Sequence, residues 1–316
     1  MVKKQRVENS ESLSSAGHRL GQIVGDWWET RVIYPLLEEV AQSLELYLDN
    51  RIVSRSCRAD KVQWADVEGN YVDYDYVLEL GGNSSTKGVP VAFLESFWRR
   101  GARHSKDKSR DDTNKLLPMR ETYATARFLA IAACGEFTEP AREYVRSRNV
   151  ELFFIGKEKI VEAFETIGAI IDYPDSLPEK DKMELVRSLE GKFSDSNQTK
   201  AATNLRSIAG QGAFTSFKQR IFSSLTATPQ EIRIYSLARF GPVVFDSIEK
   251  AAIYLNGDNQ LFPSNSEVTQ YEYEVTFSDG SEFARALGSM DEVKQVNTKL
   301  LELVKHFDRI TTQKSI

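Results

Sequence analysis

Two carboxylates stand where strand-forming sequence usually excludes them. The run Val72-Asp73-Tyr74-Asp75-Tyr76-Val77-Leu78-Glu79 and the run Pro90-Val91-Ala92-Phe93-Leu94-Glu95-Ser96-Phe97-Trp98-Arg99-Arg100 both read as buried strands that carry acids. On a two-residue period Asp73, Asp75, Val77 and Glu79 fall on one face, and Glu95 falls with Val91, Phe93 and Phe97. Burying a lone carboxylate costs on the order of several kcal/mol unless it is paired, protonated or metal-bound. Mg2+ offers a resolution, because this hard cation takes oxygen ligands and keeps waters. Two carboxylates suffice when phosphate oxygens and water complete its shell. A metal held this way activates water and stabilises the charge that develops at phosphorus, so Asp75 and Glu95 point to phosphodiester hydrolysis. The competing reading leaves Asp73 and Asp75 solvated at the end of an edge strand.

The second run passes directly into a basic segment. From Arg99 to Arg110 there are six Lys or Arg residues and one acid, Asp107. Such a cluster binds phosphate backbones; the plainer alternative is a solvated helix face. The segment starts where the Glu95 strand ends, which favours Arg99, Arg100, Arg103 and His104 as phosphate contacts. His104 and Lys108 are four apart and share a helical face, so Lys108 could reach back to the metal and orient water. A lone His104 serves more often as a hydrogen-bonding scaffold than as a base.

The surrounding elements alternate in type. Helical spacing of Leu20, Ile23 and Trp27 predicts a helix near Gly17 to Val32, and Pro35 either kinks it or opens a second helix over Leu36 to Leu48. Arg51 to Cys57 alternates weakly and suggests a strand. Gly69-Asn70 marks a hairpin between Val62–Val67 and Tyr71–Leu80, and Val89 to Trp98 is a third strand. A helix from near His104 to Tyr123 should kink or break at Pro118. The apolar run Arg127 to Ala133 suits a central strand, and Thr138-Glu139-Pro140 opens the next helix. Val150 to Ile155 and Lys157 to Ile167 add a strand and a helix, with the rhythm of a βαβ unit. Residues 1–15 look disordered.

Beyond residue 170 the chain changes character. Residues 171–230 read as a polar, helical connector. Its stretch from Ser196 to Gln230 lacks acids and carries Lys200, Arg206, Lys218 and Arg220. Phe214, Phe217 and Phe222 there could stack on nucleic acid, but the core face of a helix accounts for them better. Residues 231–316, with strands at Ile232–Leu237 and Tyr271–Phe277 and the Asp279-Gly280 turn, read as a small α+β domain.

Composition sets bounds on the function. A net charge of −5 provides no global field toward nucleic acid, so any affinity for it is local. Cys57 and Cys134 form neither a disulfide framework nor a metal-ligand spacing, and three scattered histidines argue against zinc. No apolar run approaches a membrane span and no apolar leader segment is visible, which leads to the expectation of a cytoplasmic protein with no membrane partner.

An acid on one strand of a hairpin, twenty residues before a glutamate on the next, resembles the PD-(D/E)XK nuclease superfamily, the restriction-endonuclease-like fold. The element order over residues 16–170 is also similar, and Glu95-Ser-Phe-Trp-Arg-Arg followed by His104-Ser-Lys-Asp-Lys108 resembles a bacterial, restriction-enzyme-like subset. The resemblance implies an α/β fold: a restriction-endonuclease-like core, with a mixed central sheet flanked by helices, plus the small C-terminal α+β domain. It makes Asp75 the metal-binding aspartate, with Asp73 competing, Glu95 the second acidic ligand, and Glu39 the helical glutamate some members add. Glu39 serves equally well as a surface helix residue. The lysine belongs two positions after Glu95, where Phe97 stands. Either it has moved to the helix, as Lys108 or Lys106, or the enzyme is impaired.

The resulting expectation is a Mg2+-dependent endonuclease acting on double-stranded DNA, most simply a type II restriction enzyme. A homodimer would supply two active sites, and a methyltransferase encoded nearby would protect the host. The C-terminal half would read bases or form the dimer. The alternative, supported by Phe97, is a non-catalytic DNA-binding or regulatory protein on a degenerate nuclease fold; an interaction protein with no nucleic-acid role is a third reading.

Overall fold

A computed structural model describes residues 15–236, 241–257 and 270–314. Apart from Ser15, the stretch 1–15 expected to be disordered lies outside the described residues. In chain order the first elements are α1 (Ala16–Trp27), α2 (Tyr34–Ser43), β1 (Tyr47–Asn50), β2 (Val62–Ala65), β3 (Tyr71–Tyr74), β4 (Tyr76–Leu80), β5 (Val89–Arg99) and α3 (Ser105–Thr122). Next come β6 (Phe128–Gly135), α4 (Glu139–Ser147), β7 (Glu151–Gly156), α5 (Lys157–Glu165), α6 (Glu179–Lys192), α7 (Asp195–Ala209) and α8 (Gln211–Leu225). The chain closes with β8 (Pro229–Ser236), β9 (Val243–Phe245), α9 (Ile248–Asn256), β10 (Tyr271–Phe277), β11 (Glu282–Leu287) and α10 (Met290–Lys314).

The architecture is mixed α/β with a central mixed sheet flanked by helices. The sheet has the order β1-β4-β5-β6-β7. Its β1–β4 and β4–β5 pairs are antiparallel, and its β5–β6 and β6–β7 pairs are parallel. The near-continuous apolar runs of β5 and β6 follow from their central position, where both faces are covered. One face packs Tyr76, Leu94, Ala130 and Phe153 against α1, α2, α5, α7 and α8. The opposite face packs Val77, Phe93, Phe97 and Ile131 against α3, α4 and the β2–β3 hairpin. A second sheet, β11-β10-β8-β9, packs its own core against α9 and α10.

Several local expectations change. The first helix does not run on to Val32. It passes into a π turn over Trp28–Ile33, ahead of Pro35, which has no N–H for the helical ladder. The second helix stops at Ser43, short of Leu48. Arg51 to Cys57 is not a strand: Asn50 Oδ1 accepts from the N–H of Ile52 and of Val53, at 2.9 and 3.0 Å, and folds the segment into a turn. Helix α3 continues through Pro118, held to the sheet by the fully buried Leu116 and Met119. The helices of segment 171–230 bury Leu189, Leu205, Phe214 and Phe217 in the main core, so Phe214 and Phe217 of α8 are packed inside and are not presented for stacking on nucleic acid, while the partly buried Phe222 packs against the same core. Gly135 ends β6 at φ 100°, where a Cβ would lie 2.0 Å from the Arg99 carbonyl oxygen, so no side chain fits this close approach.

Candidate active site around Glu95

The site forms where β4 meets β5. Tyr76 pairs with Leu94, and extending that antiparallel register by one residue sets Asp75 opposite Glu95. The packing gives the side: Val77 and Phe93 lie in the core beneath α3, and Asp75 and Glu95 are each two residues away from them along their strands. The two carboxylates therefore share a face. Asp75 sits in a bend between β3 and β4, and its Oδ2 accepts from the Ser96 N–H at 2.7 Å.

That bend corrects the expected alternation. Tyr74 and Val77 both enter the core beneath α3, while Tyr76 enters the opposite core, so the two-residue period breaks at Asp75. Asp73 belongs to the other side of that break, opposite Gln63 in the β2–β3 hairpin, and does not join Asp75. Glu79 is equally separate. It pairs bidentately with the buried Arg55 at 2.6 and 2.8 Å, beside Asp49.

Helix α3 places three charged residues on one stripe over Glu95. Lys115 Nζ is 2.7 Å from Glu95 Oε1. Lys108 Nζ donates to Asp112 Oδ1 at 2.6 Å and stands 5.8 Å from the Phe97 ring centre. Glu95 is 2% exposed. Burial first, then the negative charge of Asp75, pushes its carboxyl up to about 8; Lys115 opposes this and Asp112 adds to it. Burial likewise raises Asp112, against the pull of Lys108.

The rim is completed by the π turn. Arg51 Nη2 lies 2.6 Å from both Glu29 carboxylate oxygens and 3.5 Å from Asp75 Oδ1. Glu29 is raised by burial and then by Asp75, and Arg51 offsets both. The Tyr76 hydroxyl donates to the Glu29 carbonyl at 2.9 Å and fixes the turn against β4.

The other residues singled out from the sequence stand elsewhere or have other partners. Lys106 is exposed and Arg103 is exposed. Arg100 is bound to the Tyr173 carbonyl and to Asp175, so it is not a free phosphate contact. Arg99 is half-buried beside Phe97, and its Nε has no partner among the described residues. His104 closes the short turn that leads into α3. Glu39 is remote: it pairs with Lys218 and Arg206, and the Lys218 hydrogen bond chiefly lowers its carboxyl. The helical glutamate beside Asp75 is Glu29. Sequence reasoning missed Lys115, Asp112, Glu29 and Arg51, although Lys108, Asp112 and Lys115 have the i, i+4, i+7 spacing of one helical stripe.

Among the described residues, no three His, Cys, Asp or Glu side chains form a group that could hold a metal ion. The donor set still fits Mg2+ in the two-carboxylate manner. The charge of Asp75 raises the carboxyls of Glu95 and Asp112, Asp112 adds to the rise at Glu95, and Asp112 Oδ2 is buried without a partner among the described residues. A divalent cation would relieve that excess of negative charge.

The chain matches no protein-family model and no curated protein. One solved structure, described as the crystal structure of a protein of unknown function, AF1548, is similar over 54% of this chain and 96% of its own, at 13% identity and a TM-score of 0.26. A score this low carries no conclusion about fold or function.

Proposed function

We propose that the chain is a Mg2+-dependent endonuclease of double-stranded DNA with a restriction-endonuclease-like core, most simply a type II restriction enzyme. The observation that carries this reading is the convergence of Asp75, Glu95 and Lys115 on one face of the sheet. Two carboxylates and an amine are the groups that hydrolysis of a phosphodiester asks of a protein.

Asp75 and Glu95 would hold the metal, and Glu29, bound by the same Arg51 that reaches Asp75, offers a further oxygen donor. Bound there, Mg2+ would lower the pKa of its water and neutralise charge on the scissile phosphate. Lys115 keeps an ammonium on Glu95, where it can orient the attacking water and offset the charge building on phosphorus. Arg51 holds Glu29 and Asp75 in place. Phe97 fills the position where the superfamily carries its lysine, and α3 supplies the amine from Lys115. Lys108 neutralises Asp112 and supports that stripe.

The test is incubation with plasmid and phage DNA in Mg2+, with and without a chelator. Discrete fragments that vanish with chelator, and with Asp75→Asn or Glu95→Gln, are expected. Undiminished cleavage by either variant would refute the assignment.

A second reading is favoured by Phe97, buried at 5% exposure in the lysine position: a DNA-binding or regulatory protein on a degenerate nuclease fold. It predicts salt-sensitive duplex binding with no nicking in Mg2+ or Mn2+.

A further inference from the structure

A cavity of about 330 Å³ lies between α1 and the end of β5. Gly21, Gly25 and Glu29 face Ser96, Trp98 and Arg99 across it. It adjoins the acidic site, because the Ser96 N–H holds Asp75 and Glu29 shares Arg51 with Asp75.

Both walls of this cavity carry a cost in the free molecule. Glycine within a helix is less stable than alanine, and Gly21 and Gly25 both lie within α1. Packing does not demand them. A Cβ at Gly21 would meet nothing within 4 Å, and one at Gly25 would meet only the Trp98 Cβ, at 4.0 Å. On the facing wall Ser96 and Trp98 are each 5% exposed. They share a side of β5 on the two-residue period, and Trp98 belongs to the core beneath α1, so both point toward that helix. Ser96 Oγ and Trp98 Nε1 have no hydrogen-bond partner among the described residues, and a buried polar group left unpaired is destabilising.

The bare helix backbone and the unpaired groups describe one kind of ligand. Asp26 and Glu29 offset Arg99 and Arg100 along the lining, so the cavity has no excess positive charge for a phosphate. Trp98 Nε1 and the unpartnered Arg99 Nε can only donate, and the Ser96 hydroxyl can donate as well. A ligand that satisfies them is uncharged, carries acceptors along an edge, and is flat enough to lie on a helix surface without side chains. A nucleobase has carbonyl oxygens and ring nitrogens along its edges and a flat face. It must leave the base stack to enter.

We propose that this cavity receives one unpaired nucleobase of the strand whose phosphate lies at Asp75 and Glu95, so that DNA with an unpaired or extruded base is the preferred substrate. This inference rests on the nuclease reading for the placement of the strand.

The test is fluorescence anisotropy of the full chain with labelled duplexes of equal length, in chelator so that nothing is cut. One duplex is fully paired; the others carry a single unpaired nucleotide, each base in turn. At least one unpaired base should bind about tenfold or more tightly than the paired duplex, since it saves the cost of unstacking. Gly21→Leu should abolish that preference by filling the cavity. Ser96→Ala should reduce it about fivefold, the scale of one hydrogen bond. Both variants should melt at or above the wild-type temperature, because each removes a cost from the free molecule. Asp75→Asn, whose amide oxygen can still accept from Ser96, should keep the preference. The proposal is overturned if paired and unpaired duplexes bind alike, if both cavity variants keep the preference, or if they lose it while melting well below wild type, which would make the two residues structural. Loss of the preference in Asp75→Asn would put the unpaired nucleotide at the acids and overturn it too. A wild type that shows the preference yet never cleaves in Mg2+ would sink the hydrolytic role alone; cleavage of paired DNA with no preference would sink this inference alone.

Discussion

Glu95 is a poor carboxylate and for that reason an informative one. Burial and the charge of Asp75 hold its carboxyl near 8, even with the Lys115 ammonium 2.7 Å away. A cation binding there must displace a proton at any pH below that value. The Mg2+ concentration that gives half-maximal cleavage should therefore rise about fivefold from pH 8 to pH 7 and level off above about pH 9. A requirement independent of pH over that range would remove Glu95 from the metal. The same shift has a stability consequence of defined sign. The unfolded carboxyl ionises near its ordinary value of 4.5, while the folded one stays protonated to about 8, so the folded state binds the extra proton between these values. Metal-free stability falls as pH rises through that window, then becomes flat. Glu95→Gln should abolish the fall, as pH-resolved urea melts would show. Lysine identity separates in the same way. Lys115→Met should lower the cleavage rate by about 10²-fold or more, on the scale of one lost electrostatic donor. Lys108→Met should have a smaller effect, because its ammonium faces Asp112. Single-turnover rates that rank them in reverse would return the role to Lys108.

At the scale of elements, the buried network behind β1 and β4 fixes the edge that carries the site. Arg55, fully buried, binds Glu79 twice and Asp49 once, and Arg58 adds a second cation on Asp49. Arg55→Met would leave two buried carboxylates under-compensated and should cost about 3–5 kcal/mol, since breaking one side of a buried ion pair strands the other. A urea midpoint equivalent to wild type within about 0.5 kcal/mol would show that the network relaxes freely. These elements also mark what was legible in the sequence. The runs of β5 and β6 declared themselves because both faces are covered, and the hairpin turn at Gly69-Asn70 fixed its flanking strands. Asp75 and Glu95 stood out because each interrupts such a run. The bend at Asp75 did not, because a phase slip depends on which core each neighbouring side chain enters. Lys115 was hidden by distance: it is twenty residues from Glu95 in sequence, and its contact exists only once α3 lies across the sheet. The choice of Glu29 over Glu39 was hidden by the π turn, which sets the direction of the helix that follows it.

On the scale of the whole molecule, α10 decides whether the two sheets behave separately. This 25-residue helix buries Val293 and Leu300 in the core of the second sheet and Leu303, Phe307 and Ile310 in the core of the first. Arg285 on β11 donates to the Thr122 carbonyl at 2.8 Å, and Arg127 lies over the Phe277 ring at 3.2 Å, so strands and loops join the sheets as well. A sequence boundary near residue 230 suggests a separable C-terminal unit; a helix shared by two cores argues for coupled unfolding. Phe307, 3% exposed, touches the first core from the C-terminal half of α10. Phe307→Ala should cost about 3–5 kcal/mol. If α10 transmits the loss, the variant and wild type will each unfold in one transition, with fluorescence, far-ultraviolet dichroism and calorimetry giving the same midpoint. Two resolved transitions, with Phe307→Ala shifting one and Val293→Ala the other, would show that the sheets unfold independently despite the shared helix.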